Sequence, residues 1–214
     1  ELVMGHLFSI SRSLQHSNRA MPLEGAENFK TLKKQYSKGR ELRGKTLGII
    51  GFGRIGRSLA SYALGCGMKV IAHDRFAENG EVEVNVGDIS ISVDCQMLSM
   101  EEVLKQSDAI SLHIPAQANG QAVIGSEQLA MMKPGTILLN AARGGVVDED
   151  ALIDALNSGQ IFGAALDVFV SEPSPRADIL AHPSISLTPH TGAATGEAQD
   201  RICLLYTSDA ADER

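Results

Sequence analysis

Nowhere in its 214 residues does the chain string together the roughly 18 apolar residues that a membrane-spanning helix needs, so no membrane partner is expected. Positive charge is scarce as well: 19 Lys and Arg stand against 26 Asp and Glu, and the basic residues form no cluster. A net charge of -7 without such a cluster argues against a nucleic-acid surface. Cysteine is limited to Cys66, Cys95 and Cys203, an odd number at spacings that fit neither a zinc site nor a disulfide scaffold. No metal is expected, and the three read as small buried hydrophobes. There is no initiator Met and no targeting peptide ahead of the first amphipathic pattern, which reads as a piece of a longer, cytoplasmic protein. What is left, 43% hydrophobic and 21% charged residues, is the composition of a globular domain able to bury a core.

The most informative stretch runs K-T-L-G-I-I-G-F-G-R-I-G-R-S-L-A-S-Y-A-L-G-C-G-M-K-V-I-A-H-D, from Lys45 to Asp74. An apolar run meets Gly51, Gly53 and Gly56 in G-x-G-x-x-G spacing, a helical pattern follows, and a second apolar run ends at Asp74. In that order, Gly51 allows a sharp turn, Gly53 lets a pyrophosphate approach bare main chain, and Gly56 lets the helix sit close on the strand. The helix N-terminus then faces an anion. Asp74 lies 18 residues beyond Gly56, where its carboxylate can bond ribose hydroxyls and repel a 2'-phosphate, which points to NAD rather than NADP. Glycines alone mark ordinary turns; strand, helix, second strand and acid together make a dinucleotide site.

Elsewhere the periodicity alternates between strand and helix. Val3, Leu7, Ile10 and Leu14 fall on one face of a helix over residues 1–14, while residues 15–42, polar and interrupted by Pro22, read as a surface excursion with a short basic helix over 29–36. Val82, Val84 and Val86, then Ile89, Ile91 and Val93, alternate about Gly87-Asp88 as a hairpin. Ser99 and Glu102 form a capping box ahead of a short helix; strands are expected over 109–113, 136–140, 162–169 and 185–188, with helices over 126–132 and 148–157. Strands alternating with helices imply an α/β fold, a doubly wound parallel sheet of the Rossmann kind.

In such a sheet ligands collect beyond the carboxyl ends of the strands. Arg143, Glu172 and His190 each stand just past a strand end, in N-A-A-R-G-G, D-V-F-V-S-E-P and L-T-P-H-T-G-A-A-T. A histidine can exchange a hydroxyl proton near neutral pH, a carboxylate beside it orients the ring and favours its charged form, and a guanidinium can hold a carboxylate by two bonds. Each alone would more often be an ordinary loop residue; the set of three reverses that balance. His6, His16, His73, His113 and His182 are expected in structural or solvent roles, His113 near the cofactor.

These motifs, with L-R-G-K-T-L-G-I-I-G-F-G-R-I-G ahead of them, resemble the D-isomer-specific 2-hydroxyacid dehydrogenase family over roughly residues 1–202, with Arg, Glu and His spaced by 29 and 18 residues. The resemblance implies an NAD-dependent enzyme acting on a small 2-hydroxy acid, most similar to the branch that oxidises D-3-phosphoglycerate to 3-phosphohydroxypyruvate in serine synthesis. Its catalytic trio would be Arg143, Glu172 and His190. Cofactor contacts would come from Arg54, Ile55, Ile114, Pro115, Ala141, Ala142, Arg143, Asp167, His190, Gly192 and Ala193, with Asp167 accepting from the nicotinamide carboxamide. The alternative for Asp167 is a strand-end cap bonding nearby backbone. The resemblance further implies a homodimer and a missing substrate domain, with an interdomain helix over 1–14, the dinucleotide domain over 15–191 and a return helix beginning over 192–202. Residues 203–214 look foreign. On the same scaffold the alternatives are a glyoxylate or hydroxypyruvate reductase, or a non-catalytic NAD-binding corepressor-like module. The fragment alone is expected to be inactive.

Overall fold

The computed structural model describes residues 1–77 and 79–198. In chain order the elements are α1 (Leu2–Arg12), α2 (Leu14–Tyr36), β1 (Thr46–Ile50), α3 (Arg54–Gly65), β2 (Lys69–His73), β3 (Glu81–Val86), β4 (Ile89–Asp94), β5 (Gln96–Met97), α4 (Met100–Gln106), β6 (Ala109–Leu112), α5 (Ser126–Met131), β7 (Thr136–Asn140), α6 (Glu149–Asn157), β8 (Ile161–Leu166), α7 (Ala177–Ala181) and β9 (Ile185–Leu187). The strands β5-β2-β1-β6-β7-β8-β9 form one sheet in that order, every pairing parallel. The order reverses between β1 and β6, the switch point where a doubly wound sheet opens a crevice.

The central strands are apolar on both faces because both are covered. All residues of β6 and β7 are buried. On one face α4, α5 and α6 close a core around Ile50, Leu104, Leu138 and Leu152; on the other, α1 and α3 close a second around Leu7, Leu47, Leu59 and Leu139.

Two of the expectations for the first 42 residues are overturned. Leu14 does not continue the face of α1: Ser13 takes a left-handed conformation, φ 53°, which ends the helix, and Leu14 starts α2 half exposed. Residues 15–42 are not a loose excursion with one short helix. They are largely helical up to Tyr36, with Pro22 inside and a kink at Asn28, where φ/ψ leaves the helical region. Pro22 lacks an N–H, but the helix is mostly solvent-exposed, so water can satisfy the freed carbonyl. The kink also marks where the expected helix over 29–36 begins.

The hairpin β3-β4 pairs Val86 with Ile89 across Gly87-Asp88, and Gly87 has φ 60°. With the positive φ at the first turn position only, this is a two-residue type II′ turn. The Ser99–Glu102 capping box and the Asp148 cap of α6 both form. Strand β8 is shorter than expected, since Phe169 already belongs to the loop beyond it. Cys95 is buried and Cys66 half-buried, both free thiols, while Cys203, the return helix beyond Ala198 and the tail 203–214 lie outside the described residues.

Candidate active site

At the end of β1, Gly51 turns the chain with φ 96° and donates its N–H to His73 O at 2.8 Å. A Cβ on Gly51 would lie 2.3 Å from His113 O, and one on Gly56 would lie 2.3 Å from Gly51 O, so turn, strand and helix close up only because both side chains are absent. Gly53 differs: a Cβ there would meet nothing within 4 Å. It is the N-cap of α3, whose first residues Arg54 and Ile55 follow, and no side chain caps it. The backbone N–H groups of that first turn take no side-chain cap, as a pyrophosphate cradle requires.

Asp74 stands at the end of β2. Its Oδ2 accepts from Phe52 N at 2.6 Å and its Oδ1 from Phe76 N at 2.7 Å and Ala77 N at 3.0 Å. Burial raises its pKa, but the N–H bonds of Phe76, Phe52 and Ala77 together outweigh it and leave the carboxyl below its ordinary value. The carboxylate is ionised and held by three backbone N–H groups.

Beyond the strand ends opens a cleft of about 580 Å³. Ile55, Ile114, Pro115, Ala141, Ala142, Arg143, Asp167, His190, Gly192 and Ala193 line it, as do residues 1–3 at the start of the chain. Gly51, Gly53, Arg54, Gly56 and Asp74 sit at the glycine turn itself. His113 lines the same cleft and places Nε2 2.9 Å from Ser111 Oγ; burial pushes its pKa down to about 4. It is held neutral.

The three catalytic candidates come together. His190 Nδ1 lies 2.8 Å from Glu172 Oε2, and Glu172 Oε1 accepts from Phe169 N at 2.9 Å. The bond from His190 and then that from Phe169 N–H lower the Glu172 pKa against a smaller effect of burial, and the positive charge of Arg143 adds to the lowering. An ionised Glu172 accepts a hydrogen bond from His190 Nδ1–H, which leaves Nε2 for a second partner. Arg143 is exposed on the cleft wall and donates from one guanidinium nitrogen to Ala142 O at 2.7 Å. Asp167, 1% exposed, accepts from Thr188 Oγ1 at 2.6 Å, Thr191 N at 2.8 Å and Gly192 N at 2.8 Å. The backbone-capping role weighed for it is therefore present.

Three supporting residues escape sequence reasoning. Asn140, 3% exposed, bonds Arg143 O at 3.0 Å through Nδ2 and Ala142 N at 3.1 Å through Oδ1, which shapes the turn that presents Arg143. Gly144 packs where a Cβ would lie 1.9 Å from Phe169 O, and so brings the Arg143 loop against the Glu172 loop. Glu149, buried, accepts from Val170 N at 3.0 Å and ties α6 to that second loop. A polar amide ending an apolar strand was the visible signal for Asn140; the other two depend on contacts between distant segments.

A Rossmann-type domain with an acid at the end of its second strand and a His–Glu pair beside the cleft defines a dinucleotide-binding fold. Residues 4–192 match the D-isomer specific 2-hydroxyacid dehydrogenase, NAD binding domain. A hydroxypyruvate reductase of Thermotoga maritima is 39% identical over 205 residues, covering 94% of this chain and 61% of that protein. A D-3-phosphoglycerate dehydrogenase of Mycobacterium bovis is 39% identical over 171 residues, covering 80% of this chain and 31% of that one. The crystal structure of a glyoxylate reductase from Paecilomyes thermophila superposes with TM-score 0.78 at 32% identity, over 95% of this chain and 57% of that one. The chain belongs to the D-isomer-specific 2-hydroxyacid dehydrogenase family, as its NAD-binding domain, and its cofactor is NAD. It spans 61% of the first of these relatives and 31% of the second. Among the described residues no helix is long and apolar enough to cross a membrane, and no group of three His, Cys, Asp or Glu could hold a metal.

Proposed function

We propose that this domain serves an NAD-dependent dehydrogenase that interconverts a D-2-hydroxy acid and its 2-oxo acid, with Arg143, Glu172 and His190 as the reacting set. The observation that carries the reading is the 2.8 Å bond between His190 and Glu172, with His190 lining the same cleft as Arg143. In oxidation, His190 Nε2 accepts the substrate's hydroxyl proton, and the ionised Glu172 stabilises the imidazolium that forms. Arg143 turns its guanidinium to the substrate carboxylate and, in reduction, polarises the carbonyl oxygen beside it. NAD, when bound, would supply a hydride acceptor in oxidation and, in its reduced form, a hydride donor in reduction. The residues that hold it are the glycine turn at Gly51, Gly53 and Gly56 with Arg54 and Ile55, Asp74 at the ribose, and a wall of Ile114, Pro115, Ala141, Ala142, Gly192 and Ala193. Asp167 bonds the carboxamide with the capacity that remains on Oδ2.

Within the class, our first reading is oxidation of D-3-phosphoglycerate, the entry step of serine synthesis, because the glycine turn and the N-A-A-R-G-G, S-E-P and P-H-T-G motifs follow that branch. Reduction of hydroxypyruvate or glyoxylate is the second, favoured by the longer alignment with the Thermotoga maritima hydroxypyruvate reductase. Steady-state rates of the whole gene product on a panel of 2-hydroxy and 2-oxo acids separate them. A preference for D-3-phosphoglycerate supports the first, a preference for the unphosphorylated oxo acids the second, and NAD binding without turnover on any acid leaves a nucleotide binder. The same reading carries a cytoplasmic homodimer, and sedimentation equilibrium at micromolar concentration checks the stoichiometry.

A further inference from the structure

Residue 6 is a histidine on the buried face of α1, at 6% exposure and beside Val3, Met4 and Leu7. A buried imidazole needs partners for both nitrogens, and this one has them 180 and 182 residues away: Nδ1 lies 2.8 Å from Ser186 Oγ and Nε2 3.0 Å from Thr188 Oγ1. Ser186 and Thr188 are two apart, so along an extended chain they project to the same side, here toward α1. The Thr188 hydroxyl donates to Asp167 Oδ1 at 2.6 Å, so it must accept from His6, which places the His6 proton on Nε2 and leaves Nδ1 to accept from Ser186. The donors then all point one way, from Ser186 through His6 and Thr188 to the carboxylate, an arrangement in which each bond polarises the next. Burial lowers the His6 pKa, against a smaller opposing pull from Asp167, so the ring stays neutral in this network.

The far end of the chain of bonds is the turn that carries His190. Asp167 accepts from the backbone N–H groups of Thr191 and Gly192 and from the side chain of Thr188, so His190 is clamped by residues on both sides of it. That clamp matters because His190 has φ 54°, a left-handed conformation that a non-glycine residue keeps only when its surroundings over-determine it. We infer that His6 is a positioning residue: through Thr188 it holds the Asp167 carboxylate that fixes the turn presenting His190 to the cleft. Its catalytic consequence rests on the dehydrogenase reading; the structural coupling does not.

The test compares His6→Leu, which removes both bonds, with His6→Gln, whose amide N–H can still reach Thr188, in the whole protein. Amide hydrogen exchange at Thr191 and Gly192 is read first because it needs no turnover. His6→Leu is expected to speed exchange at both by about tenfold, with His6→Gln within about twofold of the parent and β7 amides unchanged in both. Equal rates in His6→Leu and parent overturn the proposal, and so does a speeding shared by β7, which marks general loss of stability. Turnover is the second readout: kcat of His6→Leu falls about tenfold while KM for the acid changes less than about threefold, and His6→Gln restores kcat. An unchanged kcat in an active parent overturns the positioning role. A parent that turns over no 2-hydroxy acid defeats the dehydrogenase reading, and the exchange rates still decide the coupling of His6 to the turn.

Discussion

On the proposed reading His190 carries the proton transfer, so its removal gives the cleanest test at the scale of single residues. His190→Ala is expected to lower kcat about a hundredfold or more and leave NAD affinity nearly unchanged, as for a group that acts only on the transferring proton. Rapid kinetics with calorimetric NAD titration checks both, and undiminished turnover removes His190 from the mechanism. Asp74→Ala is expected to weaken NAD and narrow the gap to NADP, since it removes a carboxylate that three backbone N–H groups hold in its charged form. An unaltered ratio of the two affinities contradicts its placement at the ribose. His113 gives a pH dependence whose sign follows from its pKa of about 4 in the fold against 6.5 for an unperturbed histidine. Between those values the unfolded chain binds more protons, so stability rises as pH climbs through that window and is lost on the way down. Thermal melting from pH 4 to 7 reads it, and His113→Gln should flatten the slope. Arg143, Glu172 and His190 were legible because each follows an apolar strand in a short motif. His6 was not: it shares the spacing of an apolar helical face, and its partners lie at the other end of the chain.

Among the elements, the loops after β7 and β8 depend on one close approach. Gly144→Ala puts a Cβ onto Phe169 O, so the two loops must separate; the expected cost is about 1–3 kcal/mol of stability, with loss of activity from the displaced Arg143 and Glu172. Denaturant melts and turnover on the same variant measure both, and parent-like values would mean the loops approach without that contact. Local sequence signals explain which elements were legible. The capping box at Ser99, the Asp148 cap and the Gly87-Asp88 turn are set by neighbours a few residues apart, and all three form. By contrast β5 and α7, at two and five residues, are too short for a periodicity to show. The helix α2 was hidden by Pro22, which the exposed position of the segment tolerates. The face of α1 packs its Val3, Met4 and Leu7 into the core beneath α3 and the sheet.

For the molecule as a whole, the chain spans 61% of one relative and 31% of another. On the proposed reading the described chain alone should bind NAD weakly and turn over no 2-hydroxy acid; measurable turnover by residues 1–214 would mean that no further domain is needed for chemistry. The doubly wound architecture and the NAD turn were determined by sequence alone, and the three candidates Arg143, Glu172 and His190 were picked out there, because strand periodicity, glycine spacing and end-of-strand motifs act over distances of a few to about thirty residues. Only the tertiary structure decided that the Glu172 carboxylate meets His190 Nδ1, that Gly144 brings two loops into contact, and that a helix at the start of the chain reaches the turn near residue 190. Those are contacts between separate loops and elements, and they exist only once the parallel sheet has set its strand order and brought the carboxyl ends of its strands to one edge.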